Sequence, residues 1–117
     1  MKQFMLIYKG GDHDWFEKAT PEEMGATMEK WNTWMGNLQE SEQLVSGGSP
    51  LNYGGKRVDS DAVVTDIATS EFKELVSGYS MIMAEDMDAA LEIAKICPIF
   101  SYPGTTLEVR EVMNMDG

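Results

Sequence analysis

Two residue types on which much enzyme chemistry depends are almost missing from this chain: its 117 residues include one cysteine and one histidine. Cys97 therefore has no partner for an intrachain disulfide, and one thiol with one imidazole cannot build a Cys/His zinc site, so no metal is expected. Basic side chains are scarce as well. Nine Lys and Arg stand against twenty Asp and Glu, a formal net charge of -11, which repels phosphate backbones and argues against nucleic acid as a partner. No apolar run approaches the ~18 residues that a membrane span requires. The N-terminus passes from Lys2 directly into a strand pattern without the layout of a signal peptide, so the expected compartment is the cytoplasm, with no membrane partner. The glycines at 47, 48, 54 and 55 form no phosphate-binding fingerprint, since no GxGxxG follows a strand and no Lys-Ser/Thr ends a Gly-rich loop.

What remains is a chain with 43% hydrophobic and 25% charged residues, the balance of an ordinary globular protein of one domain, residues 1–117. Its ten methionines suit an adaptable core or interface. Lys2 to Tyr8 reads KQFMLIY, apolar on both faces, so both sides of this strand need cover. Thr20-Pro21-Glu22-Glu23 then supplies an N-cap, a proline in the first turn and two acids, and predicts a helix to Glu40 with Met24, Met28, Trp31, Trp34 or Met35, and Leu38 as its apolar stripe. Gln43 to Val45 is extended. A glycine-rich stretch follows, with a short hairpin or one interrupted strand at Val58 and Ala62 to Thr65. Ser70 to Val76 reads as a helical turn, and Tyr79 to Ala84 alternates as a strand with Tyr79, Met81 and Met83 on one face. Asp86 caps a second helix predicted to run through Cys97, with Met87, Ala90, Leu91, Ala94 and Cys97 or Ile93 inward and Pro98 as the stop. Thr106 to Val112 closes the chain as a strand.

The order β-α-β-β-α-β is the split βαβ, ferredoxin-like arrangement of the α+β class, with two helices on one face of an antiparallel sheet. The other face has no third helix to cover it. A second copy of the sheet is the simplest lid, which predicts a homodimer around a central space unless the loop from Gly47 to Asp61 covers that face.

The order of Thr65-Asp66, Glu71, Lys73-Glu74-Leu75, Gly78-Tyr79, Glu85-Asp86-Met87-Asp88-Ala89-Ala90 and Cys97-Pro98 resembles the YCII-related family, specifically its DGPF branch. The resemblance extends to the opening FMLIY strand, the Thr20-Pro21-Glu22-Glu23 helix start, Leu44-Val45-Ser46-Gly47 and the closing Leu107-Glu108-Val109-Arg110 strand. It implies a dimeric α+β barrel. Two departures matter. Asp66-Ile67-Ala68-Thr69 stands where the branch carries Asp-Gly-Pro-Phe, keeping the acid and losing the tight turn. In the YCII branch proper, a His on the first helix and an Asp near its end are proposed as a catalytic dyad. Those positions correspond to Trp31 and Glu40 here, and an indole cannot exchange a proton with a substrate, so that chemistry does not carry over.

Asp66 is the first catalytic candidate, because it follows an apolar strand where the resembling family retains an acid; the competing reading is a turn residue bonded to its own backbone. His13, between Asp12 and Asp14 in a predicted loop, is the second, since flanking carboxylates favour its protonated form. For ligand binding, Tyr8, Tyr79 and Tyr53 offer hydroxyls on apolar bodies, Trp31 with Trp34 offers an aromatic wall, and Glu71 with Lys73 offers a polar hold. Cys97 at a helix C-terminus has the wrong dipole for a nucleophile and is expected to be buried. No cofactor is implied. Two functions follow: a module that binds a small molecule in a dimer cleft without turnover, or a metal-independent isomerase, lyase or hydrolase using Asp66 or His13 as acid/base. The loss of the helix histidine and of the Gly-Pro-Phe turn favours the first.

Overall fold

The computed structural model describes residues 1–67 and 74–115, with His13 described by its backbone alone. The predicted helical turn at Ser70 to Val76 lies largely outside the described residues, and Glu71 and Lys73 lie wholly outside them. The fold is α+β. A four-stranded antiparallel sheet is built from β1 (Lys2–Gly10), β2 (Leu44–Ser46), β5 (Val76–Ala84) and β6 (Thr105–Glu111), in the order β2-β5-β1-β6. A separate hairpin pairs β3 (Lys56–Val58) with β4 (Val64–Asp66). Among the described residues three α-helices accompany the strands: α1 (His13–Lys18), α2 (Pro21–Glu40) and α3 (Met87–Lys95).

Strict alternation sets the two faces of the sheet. In β1 and β5 every even-numbered residue from Phe4 to Gly10 and from Gly78 to Ala84 is buried, and the odd-numbered residues between them are half-buried. The β1–β5 register sets Phe4 opposite Ile82 and Leu6 opposite Ser80. Above them lie Trp34 and Leu38 of α2 and Ala90 and Ala94 of α3, in one core that continues through Cys97 and Ile99. Small alanines on α3 let that helix sit close to the sheet, while α2 fills its side with an indole and a leucine.

The helices begin where the sequence places them. Thr20 Oγ1 accepts from the Glu23 amide at 3.1 Å and donates to the Glu23 carboxylate at 3.2 Å, a side-chain N-cap with Pro21 in the first turn. Asp86 Oδ1 accepts from the Ala89 amide at 2.8 Å. The stripes are narrower than predicted. On α2 the inward residues are Thr27, Trp34 and Leu38, with Trp31 and Met35 half-buried, whereas Met24 and Met28 are exposed. On α3, Met87 and Leu91 are exposed and the buried positions are the alanines. That helix ends at Lys95, and the chain then enters a 3₁₀ turn at Pro98–Ser101, because a proline ring cannot continue an α-helix.

One local expectation changes. The segment Asp12-His13-Asp14, predicted as a loop, opens the short helix α1, since the Asp12 carboxylate accepts from the Asp14 amide at 2.9 Å and caps it. Tyr8 points into the helix-side core, and Met5 lies on the other face of the sheet. Of the two readings for Val58 to Thr65, the hairpin is the one formed, turning through Asp59, whose carboxylate accepts from the Asp61 and Val63 amides.

Candidate functional site

A β-bulge creates the site's most unusual position. Along β1 and β5 the pairing runs Tyr8 with Gly78, then Lys9 with Val76, so Ser77 is an extra residue with no partner in β1. On its other edge β5 meets the incoming loop: the Leu51 amide donates to the Ser77 carbonyl at 2.8 Å, and Pro50 bridges Gly78. This loop approaches so closely at Gly48 that a Cβ there would lie 1.7 Å from the Tyr79 carbonyl oxygen, and its φ is +69°. Only glycine fits both constraints.

Between this loop, the bulged ends of β1 and β5, and α2 lies a cavity of about 360 Å3. Tyr8, Gly78 and Tyr79 come to it from the sheet, and Met28, Trp31 and Met35 from α2. Phe16 of α1 and Leu51 of the loop, both exposed, stand at its rim, and Tyr53, Tyr102 and Thr105 complete much of the wall. The aromatic side is cross-braced. Trp31 Nε1 donates to the Tyr102 hydroxyl at 3.0 Å, the Tyr8 ring meets Trp31 edge-on at 5.8 Å, and Phe16 stacks on Tyr102 at 5.3 Å. Thr105 Oγ1 holds the Tyr102 turn through the carbonyls of Ile99 and Tyr102, at 2.9 and 3.0 Å.

Beneath the cavity runs a row of hydroxyls. Ser80 Oγ donates to the Gly47 carbonyl at 2.9 Å, so its oxygen is left to accept from the Tyr8 hydroxyl at 2.7 Å, and Tyr8 in turn accepts from the Cys97 thiol at 3.7 Å. Burial pushes the Tyr8 phenol well above its ordinary pKa range and raises that of the Cys97 thiol. Both stay protonated at neutral pH, and Cys97 is no nucleophile. Tyr53 is also raised, by partial burial first and then by the Asp12 carboxylate. Every other buried side-chain polar atom among the described residues has a hydrogen-bond partner; Ser77 Oγ, at the bulge and closed off from solvent, has none.

No charged side chain among the described residues lines this cavity, and no group of three or more His, Cys, Asp and Glu among them could hold a metal ion. Tyr8, Trp31 and Tyr79, three of the residues singled out for ligand binding, meet here, and so does Tyr53. Asp66 is elsewhere. It sits on β4 with its side chain 79% exposed, ion-paired with Lys56 across the hairpin. His13 opens α1, three residues before Phe16 at the cavity rim. The sequence places a ligand in a cleft between two copies, whereas this cavity forms within one chain. Ser77, Tyr102 and Phe16 carried no signal in the sequence: a serine at a bulge looks like any strand serine, and Tyr102 lies in an aperiodic turn after Pro98.

Along residues 1–116 the chain matches the model of the YCII-related domain. No curated protein matches it.

Proposed function

The chain belongs to the YCII-related domain family, and from that premise we propose that it is a small-molecule-binding protein of the DGPF branch, a ferredoxin-like homodimer that holds its ligand in the aromatic cavity without turning it over. The strand order supports the ferredoxin-like reading: β1 and β2, connected through α1 and α2, stand on either side of β5 and antiparallel to it, and the β3–β4 hairpin is an insertion. The odd-numbered face of the sheet supports the dimer. It presents Met5, Ile7, Tyr79, Met81 and Met83, half-buried, while the helices pack on the other side.

The observation that carries the binding reading is a sizeable, uncharged aromatic cavity from which Asp66 is absent. Acid-base catalysis needs a titrating group within reach of the substrate, and the protonated hydroxyls beneath this cavity are too weakly acidic to serve. Thermal-shift screening of a metabolite library against three proteins tests the proposal. Compounds that stabilise the wild type should lose their effect in Met28→Trp, which fills the cavity, and keep it in Asp66→Asn. A compound whose effect survives Met28→Trp but vanishes in Asp66→Asn would move the site to the hairpin.

A second reading, a metal-independent isomerase, lyase or hydrolase, is supported by the position of His13 on the same short helix as the rim residue Phe16. It requires that a stabilising compound be converted by the wild type and not by His13→Gln.

A further inference from the structure

The β3–β4 hairpin serves neither the core nor the cavity: residues 56–66 supply none of the described residues of either. Every residue from Lys56 to Asp66 is exposed. A two-stranded hairpin standing alone in water is marginally stable at best, and this one also turns apolar side chains to solvent. Val58 and Val64 pair directly across the two strands on one face, 63% and 59% exposed, with Val63 next to them at 53%. The reach of the hairpin tells on the whole chain. Its radius of gyration is 15.9 Å, where a compact chain of this length has ~13 Å.

What covers such an arm follows from area. A strand rises ~3.4 Å per residue and lies ~4.8 Å from its neighbour, so each residue takes about 16 Å2 of sheet. With nine residues each in β1 and β5, seven in β6 and three in β2, the open face measures roughly 450 Å2, and two such faces together bury about 900 Å2. Stable, specific interfaces begin near ~1,200 Å2. The apolar part of the face is smaller still, because β6 sets Glu108 and Arg110 opposite Ile7 and Met5. Two sheets alone therefore fall short of a lasting dimer, and each copy also carries an uncovered apolar arm. A second copy is the one occupant that covers both surfaces at once. Charge agrees with it. Arg57 has no ion pair among the described residues, and the second copy brings a formal net charge of -11.

We infer that the β3–β4 hairpin is a dimerisation arm, which lays the face of Val58 and Val64 on the second copy and completes the interface that the two sheets begin. This step rests on the homodimer proposed above.

The ends of the arm are already joined, since the Ile67 amide donates to the Gly55 carbonyl at 3.0 Å. Residues 56–66 can thus be replaced by a two-residue Gly-Gly turn, with no core residue removed. Sedimentation equilibrium gives the dimer dissociation constant of each protein. The shortened chain should raise it at least ~100-fold, and Val58→Ser/Val64→Ser, which keeps the arm and removes its apolar face, at least ~10-fold. Trypsin locates the arm independently of either change. It should cut after Lys56 and Arg57 slowly in the wild-type dimer and rapidly in Met81→Asp, whose sheet face is spoiled and whose arm is intact. A dissociation constant unchanged by both arm variants overturns the inference and leaves the dimer standing, as does an arm cut equally fast in the wild-type dimer and in Met81→Asp. If the wild type sediments as a single chain, it is the homodimer that fails, and the arm with it.

Discussion

Cys97 shows how far burial changes the meaning of a residue. From sequence it is a lone thiol at the end of a helix; in the fold it is buried against the Tyr8 hydroxyl, and its pKa is raised. The folded chain thus keeps the thiol proton at pH values where the unfolded chain has lost it. Stability owed to this group is whole below the ordinary thiol range near 8.5 and declines as pH climbs through the folded value. Tyr8 adds a similar decline beginning near its ordinary value of about 10. The urea midpoint should therefore fall steadily from about pH 8.5 upward, and less steeply in Cys97→Ala. At neutral pH the native protein should react with a thiol-specific disulfide reagent only at its rate of unfolding. Rapid labelling of the folded chain would show that Cys97 is accessible after all. The burial of Cys97 was expected from the apolar stripe of a helix running through it; the helix stops at Lys95, Met87 and Leu91 of that stripe are exposed, and Cys97 is buried where the chain enters the 3₁₀ turn. Its partner was not expected, because nothing in the sequence aligns Tyr8 with Cys97 across 89 positions.

At the scale of elements, what carries a periodic signal was readable and what does not was missed. β1, α2 and α3 announce themselves through alternation, caps and a proline stop. The short helix α1 has too few residues to show a period, and the loop from Gly47 to Tyr53 has no repeating pattern at all. Yet that loop forms one wall of the cavity and is clasped to β5 through Gly48, Pro50 and Leu51. Gly48→Ala tests the clasp. A methyl group 1.7 Å from a carbonyl oxygen cannot be tolerated, so the loop must lift away from the strand. The left-handed φ alone adds a cost on the order of 1–3 kcal/mol. Denaturant titration should show a loss of at least that size, and amide exchange at Leu51 should quicken. A variant of wild-type stability with Leu51 still protected would mean that the close approach is not maintained in solution.

For the whole molecule, the distribution of methionine is informative. None of the ten belongs to the buried core, while Met5, Met81 and Met83 sit together on the uncovered face of the sheet. Adaptable thioethers on a broad face suit a surface that packs against another copy of itself. Lys9 on the same face lies 3.2 Å from Glu108 and 3.4 Å from Glu74, so its ammonium does not stand unpaired there. The proposed homodimer predicts a sedimentation mass of twice 13.0 kDa. Met81→Asp, which sets a carboxylate in the middle of that face, should reduce the mass to that of the single chain while leaving the circular dichroism unchanged. A wild type that sediments as a single chain at micromolar concentration removes the dimer. The plate-like extents of 46 × 41 × 18 Å explain why the sequence suggested a partner: one helical layer over one sheet leaves a full face open. They also explain why the cavity was unforeseen, since it lies at the edge where loop, bulge and helix meet rather than on either face.

The row of hydroxyls from Cys97 through Tyr8 and Ser80 to the Gly47 carbonyl runs in one direction only. Each member donates to the next, and the last is an acceptor with no hydrogen to hand on. A conduit for protons must be able to reverse its donors after each passage; here reversal would leave the Gly47 carbonyl without the bond that Ser80 supplies. The row is thus a mooring line and not a wire, fastening the cavity's loop to the deepest layer of the core.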